Sequence, residues 1–92
     1  MTSLAQLDPA TQRALVERLK RIEGQARGIA RMIEDGRDCV EVVQQLAAMR
    51  AAVDSLSAEL VQVMVEECWQ RDAVANSKVL SQVIKTLVRA GR

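Results

Sequence analysis

The sequence predicts an all-α fold of three helices, the second much longer than the other two. Three observations carry that expectation. The 92 residues are 49 % hydrophobic, yet Trp69 is the one aromatic, so Ala, Val, Leu, Ile and Met must build the core. One Pro and four Gly leave little punctuation for the turns of a sheet. Apolar residues recur at spacings of three and four along most of the chain. A chain this short makes a single domain, residues 1–92, and one that often needs a partner to complete its core.

The first helix, expected over 9–35, starts at Asp8-Pro9. Asp is a favoured N-cap, and Pro at the first helical position gives up an N–H that had no partner. Leu15, Leu19, Ile22, Ala26, Ile29 and Ile33 then form a heptad-like seam. Opposite it, at about 100° per residue, fall Arg13, Lys20, Arg27 and Arg31. Gly36 stands where a C′ glycine ends a helix.

Asp38 caps the second helix, expected over 39–70, and Glu41 gives the Asp-x-x-Glu spacing of a capping box. Leu46, Met49, Val53, Leu56, Leu60 and Val63 keep its seam, which Val43, Ala47, Val61 and Met64 widen. Some 30 helical residues span about 45 Å, more than one short hairpin covers, so this helix asks for a second subunit. The stretch 72–77 reads as a joint, with Asn76 or Ser77 capping a third helix over 77–90. Val79, Leu80, Val83, Ile84, Leu87 and Val88 form its apolar face, and Gly91 its stop.

The formal charge is only +1, but it is segregated. Residues 10–31 hold six bases against Glu17 and Glu23, residues 34–67 hold eight acids against Arg37 and Arg50, and residues 68–92 hold five bases against Asp72. Such segregation is a statement about partners. The absence of histidine removes Ser-His and Cys-His nucleophile pairs and imidazole-rich zinc sites. No base stands ready to activate a cysteine and no glycine-rich oxyanion loop is present, so an enzyme is not expected. No apolar run approaches the roughly 18 residues of a membrane span, and no signal peptide is seen. The expected compartment is the cytoplasm, with no membrane partner.

Cys39 and Cys68 are 29 residues apart. On one straight helix they share a face but lie roughly 43 Å apart, whereas a disulfide needs Cα atoms within about 7 Å. A bond within one chain is therefore excluded. Two antiparallel copies of the second helix would bring Cys39 beside Cys68 of the partner subunit, residue i opposing residue 107 − i. Val43 then faces Met64, Leu46 faces Val61, and polar groups collect near the axis, a self-complementary pattern. Cys39, just after its cap, has free N–H groups and the helix dipole to favour an anion, although Asp38 and Glu41 oppose this. Cys68, beside Glu66 and Glu67, suits a resolving thiol. Spacing alone leaves a second possibility open, that both are small buried apolar residues.

The run Arg18-Leu-Lys-Arg-Ile-Glu-Gly-Gln-Ala-Arg-Gly-Ile-Ala-Arg-Met-Ile-Glu34, with Asp38-Cys39-Val40 and Gln44-Gln-Leu-Ala-Ala-Met-Arg-Ala-Ala52, resembles the copper-sensitive operon repressor family. The likeness covers residues 12 to about 90. It implies an antiparallel dimer, a disc-shaped homotetramer, and a repressor that leaves operator double-stranded DNA when its sensing cysteine is modified or metallated. The sensing cysteine falls on Cys39. Where copper sensors place a histidine and a second cysteine, this chain has Met64 and Cys68. The third helix also lacks the outer-shell acid of copper sensors. The chain therefore looks most like the persulfide-sensing branch, in which two thiols of different subunits become joined under a persulfide or polysulfide inducer, with no cofactor. The alternative is copper(I) on Cys39, Cys68 and Met64, all soft donors, although Met64 also suits a core position. Nickel or cobalt would need nitrogen ligands, and aldehyde sensing an amine beside Cys39. A purely structural helical oligomer is a further alternative. The same resemblance implies that basic helix faces meet DNA, here Arg13, Lys20, Arg27 and Arg31, flanked by Arg18 and Arg21. Arg50 either reaches DNA or pairs with Asp54. Gly24 and Gly28 beside the row either admit a DNA backbone or serve helix packing.

Overall fold

A computed structural model describes residue 4, residues 7–68 and residues 73–90, and the side chains of these except 67, 68, 73–77 and 80. The described residues are helical with no strand: α1 Pro9–Glu34, α2 Cys39–Val63, a π-helical turn Met64–Cys68, and α3 Ala73–Ala90. None of the described helices is long and apolar enough to cross a membrane.

The ends of α1 are set by local chemistry. The Thr11 N–H donates to Asp8 Oδ2 at 3.4 Å, so Asp8 is the cap and Pro9 the first helical residue. At the other end Gly36 takes φ 69°, the left-handed conformation that suits glycine. The Arg37 N–H then reaches the Met32 carbonyl at 2.9 Å, and the Gly36 N–H the Ile33 carbonyl at 3.1 Å. That pair of bonds is the Schellman motif, and it uses two carbonyls that would otherwise end the helix unpaired. Two residues on, α2 begins at Cys39 with Asp38 as cap, the Glu41 N–H donating to Asp38 Oδ2 at 3.4 Å.

The chain divides into two compact units. The first contains residues 13–56, a helical hairpin of most of α1 and the front of α2. Ile29 is its buried residue, and Leu15, Arg18, Ile22 and Met32 on α1 are half-buried, as are Val42, Met49, Ala52 and Leu56 on α2. The second contains residues 1–12 and 57–92, with Leu7 and Val63 buried and Leu60, Val61, Met64, Val79 and Val83 half-buried.

Three expectations are corrected. The seam of α1 is not Leu15, Leu19, Ile22, Ala26, Ile29 and Ile33. Leu15, Ile22 and Ile29 are covered, but Leu19 is 56 % exposed and Ile33 62 % exposed, while Arg18 and Met32 on the other flank are half-buried. Both flanks satisfy the three-and-four spacing, so periodicity could not choose. Second, α2 does not run unbroken to 69 or 70, because its α-helical pattern gives way to a π turn after Val63. Positions 69 and 70, Trp69 included, lie outside the described residues. Third, α3 starts at Ala73, so Asn76 and Ser77 are interior helical residues, not caps. Ala73 and Ala75 are strong helix formers, and an interior Asn or Ser costs only some tenths of a kcal/mol. The proposed stop at Gly91 lies outside the described residues.

Candidate functional site

Cys39 is the first residue of α2 and is an exposed, free thiol. Its surroundings come from the tight joint between α1 and α2. Arg37, thrown outward by the left-handed Gly36, donates through Nε and Nη2 to Glu41 Oε2 at 3.2 and 3.1 Å. Glu41 thus uses its carboxylate on Arg37, four residues back. With both side chains about half exposed, the pair contributes only a few tenths of a kcal/mol. It does, however, set a cation against one of the two acids that flank the thiol.

The other sulfur positions lie in the π turn. Met64 opens it, half-buried, and Cys68 closes it. The side chain of Cys68 lies outside the described residues. The Gln62 side chain donates to Glu66 Oε1 at 3.2 Å across the junction of α-helix and π turn. A π turn inserts one extra residue per turn, so the ideal-helix phase used to place Cys68 no longer applies beyond Val63. No group of three or more Cys, Asp or Glu side chains gathers as a metal cage among the described residues.

The basic residues separate into two environments. Arg13, Lys20, Arg21, Arg27 and Arg31 are exposed along α1, with Arg27 held to Glu23 at 2.6 Å. Arg18 is different. It is half-buried on the α2-facing flank, and its Nη2 donates to Ser55 Oγ on α2 at 2.9 Å. A groove of about 260 Å³ beside this bond is lined by Arg18, Arg21, Ile22, Gln25 and Ala52. Arg50 is exposed on α2. A Cβ added at Gly24 or Gly28 would meet nothing within 4 Å, so packing among the described residues does not require either glycine.

Sequence reasoning missed three features. The Arg18 contact had a signal, since Arg18 sits three residues after Leu15 and four before Ile22, inside a stripe. The Arg37–Glu41 pair had the ordinary i, i+4 signal. The π turn had none, because no Pro or Gly marks the segment 61–68.

A family model described as "Metal-sensitive transcriptional repressor" matches residues 11–89. Among curated relatives, the copper-sensing transcriptional repressor RicR of Mycobacterium tuberculosis is 42 % identical over 55 residues, which cover 60 % of this chain and 57 % of that one. The copper-sensing transcriptional repressor CsoR of Bacillus subtilis is 41 % identical over 54 residues, 59 % of this chain and 54 % of its own. The matched segments thus span little more than half the length of these relatives. Among solved structures, the copper-sensing repressor CsoR with Cu(I) from Geobacillus thermodenitrificans superposes with a TM-score of 0.80 at 25 % identity, covering 99 % of this chain and 96 % of that one. The nickel-responsive regulator InrS gives a TM-score of 0.65 at 32 % identity, covering 92 % and 93 %.

Proposed function

This chain belongs to the metal-sensitive transcriptional repressor family, and from that premise we propose that it is a DNA-binding repressor induced by reactive sulfur. Its 92 residues work as one domain, and two copies pair α2 antiparallel, with a tetramer as the working form. Val43, Leu46 and Val53 support the pairing, because they leave a row of apolar side chains exposed along α2. Cys39 and Cys68 of the partner subunit form the sensing pair. Exposed cations on α1 (Arg13, Lys20, Arg21, Arg27 and Arg31) and Arg50 on α2 supply phosphate contacts, four copies of each in a tetramer.

The observation that carries the sulfur reading is the donor set: two cysteines, no histidine anywhere, and an exposed Cys39 at a helix start. The thiolate of Cys39 attacks the sulfane sulfur of a persulfide, taking that sulfur and expelling the carrier as its thiolate. Cys68 of the partner subunit then attacks Cys39 Sγ, a disulfide forms, and hydrosulfide leaves. The sulfane sulfur is the oxidant and is reduced to sulfide, so the step balances without oxygen or a metal. A crosslink between α2 helices changes how the basic faces are held, and operator DNA is released.

Copper(I) is the second reading, favoured by the copper-sensing relatives. The donors fit that ion: Cys39, with Cys68 and Met64 of the partner, offers two thiolates and a thioether, all soft. Bound there, the ion would supply a tie between the same two helices. Nickel does not fit, since the chain has no imidazole to offer.

The test is anaerobic treatment of the pure protein with inorganic polysulfide, read by non-reducing gel, peptide mass and release of a duplex taken from upstream of the chain's own gene. The expected product is a covalent dimer with di-, tri- or tetrasulfide links between Cys39 and Cys68 peptides. Cys39→Ser should stay on DNA, and Cys68→Ser should accumulate a persulfide on Cys39 without a crosslink. Stoichiometric copper(I) binding that releases DNA, with no response to polysulfide, overturns the sulfur reading in favour of copper.

A further inference from the structure

We infer that Arg18 is a positioning residue: it fixes the rotational phase of α1 against α2 and so aims the basic row of α1. The DNA half of this inference rests on the repressor reading above, while the phase itself does not. Two phases compete. One covers Leu15, Ile22 and Ile29 together with Arg18 and Met32, Gln25 on the same flank staying exposed, and it is the phase observed. The other would bury the same three residues with Leu19, Ala26 and Ile33. At 100° per residue the two differ by a roll of roughly 50°. Apolar burial by itself favours the second, since Leu, Ala and Ile together offer more apolar surface than Arg and Met.

What opposes that roll is the bond from Arg18 Nη2 to Ser55 Oγ at 2.9 Å, joining positions 37 residues apart within the hairpin unit. A guanidinium stays charged, and its stem can lie along apolar surface while its head is satisfied by polar groups. It therefore tolerates the half-buried flank only in the phase that offers an acceptor. One polar residue in an otherwise apolar seam specifies alignment in this way. A roll of α1 would swing Arg13, Lys20, Arg27 and Arg31 with it, which ties the Ser55 hydroxyl to a face it never touches.

The experiment compares the full chain with Ser55→Ala, Ser55→Thr, Arg18→Met and the double variant Arg18→Met/Ser55→Ala. Binding to the upstream duplex is measured across a salt series, and unfolding in urea is measured on the same proteins. Ser55→Ala removes no charge, so it should weaken DNA binding about fivefold with an unchanged salt slope. Ser55→Thr, which keeps the hydroxyl, should stay within about twofold of the parent, and the double variant should bind no more weakly than Arg18→Met alone. If Arg18→Met flattens the salt slope while Ser55→Ala binds like the parent, Arg18 is a phosphate contact and the inference is wrong. Parental binding by Ser55→Ala and Arg18→Met together also overturns it. Should the parent itself bind no DNA, the repressor reading falls, and urea decides the phase: non-additive losses uphold the Arg18–Ser55 coupling, additive ones overturn it.

Discussion

Two apolar stripes run along the front of α2 and meet different environments. Val42, Met49, Ala52 and Leu56 are half-buried within the hairpin unit. Roughly 100° around the helix, Val43, Leu46 and Val53 are exposed, Val43 by 62 %. Composition does not separate them, since each is built from apolar side chains without a ring. The difference is that the chain supplies α1 for the first stripe and leaves the second to something outside itself. A helix with two apolar stripes is one that expects two neighbours. The hairpin is thus a half-finished core, and its second stripe is the feature that most directly supports an oligomer.

The largest effect is expected from a charge on the open stripe. Leu46→Glu is a surface change in a lone subunit, worth within about 0.5 kcal/mol, but in a closed interface it leaves an uncompensated buried charge at about 3–5 kcal/mol. Light scattering should show the mass falling toward the single-chain 10.1 kDa with helicity retained. An unchanged multimer would mean that this stripe is not the interface.

A smaller effect is expected from changes that leave both stripes alone. Lys20→Glu with Arg27→Glu should weaken DNA binding more than tenfold and flatten its salt dependence, with oligomer mass unaltered. Equal binding by this variant would make the α1 row a solvated face. The smallest effect belongs to the covered stripe. Met49→Ala should cost about 1–2 kcal/mol by urea unfolding, below the 2–5 kcal/mol of a fully enclosed site, because its position is only half-buried. A loss of mass with no loss of stability in this variant would exchange the roles assigned to the two stripes.

The candidate site was legible to different depths at its different residues. Cys39 at a helix start followed from Asp38 and Gly36, two residues whose local chemistry leaves few choices. The exposed cations of α1 followed from helical spacing. Arg18 is on the flank of that row by the same spacing, and its contact with Ser55 on α2 became visible only with the second helix in place. The π turn at Met64–Cys68 was not legible, because nothing in its composition breaks a helix. Spacing counted on an ideal helix therefore holds from Cys39 to Val63 and no further.

The sequence by itself determined the helical class, the caps at Asp8 and Asp38, the Schellman end at Gly36, and the segregation of charge. The caps and the Schellman end depend on groups within five residues of one another, so the local chain contains all the partners they need. Tertiary structure decided which flank of α1 is covered, which stripe of α2 stays open, and where α2 changes its helical pitch. In the first of these, two flanks of nearly equal apolar spacing compete, and the covered one has Arg18 bonded to Ser55, 37 positions away. Periodicity is degenerate over such a choice, and only the packed pair of helices removes the degeneracy.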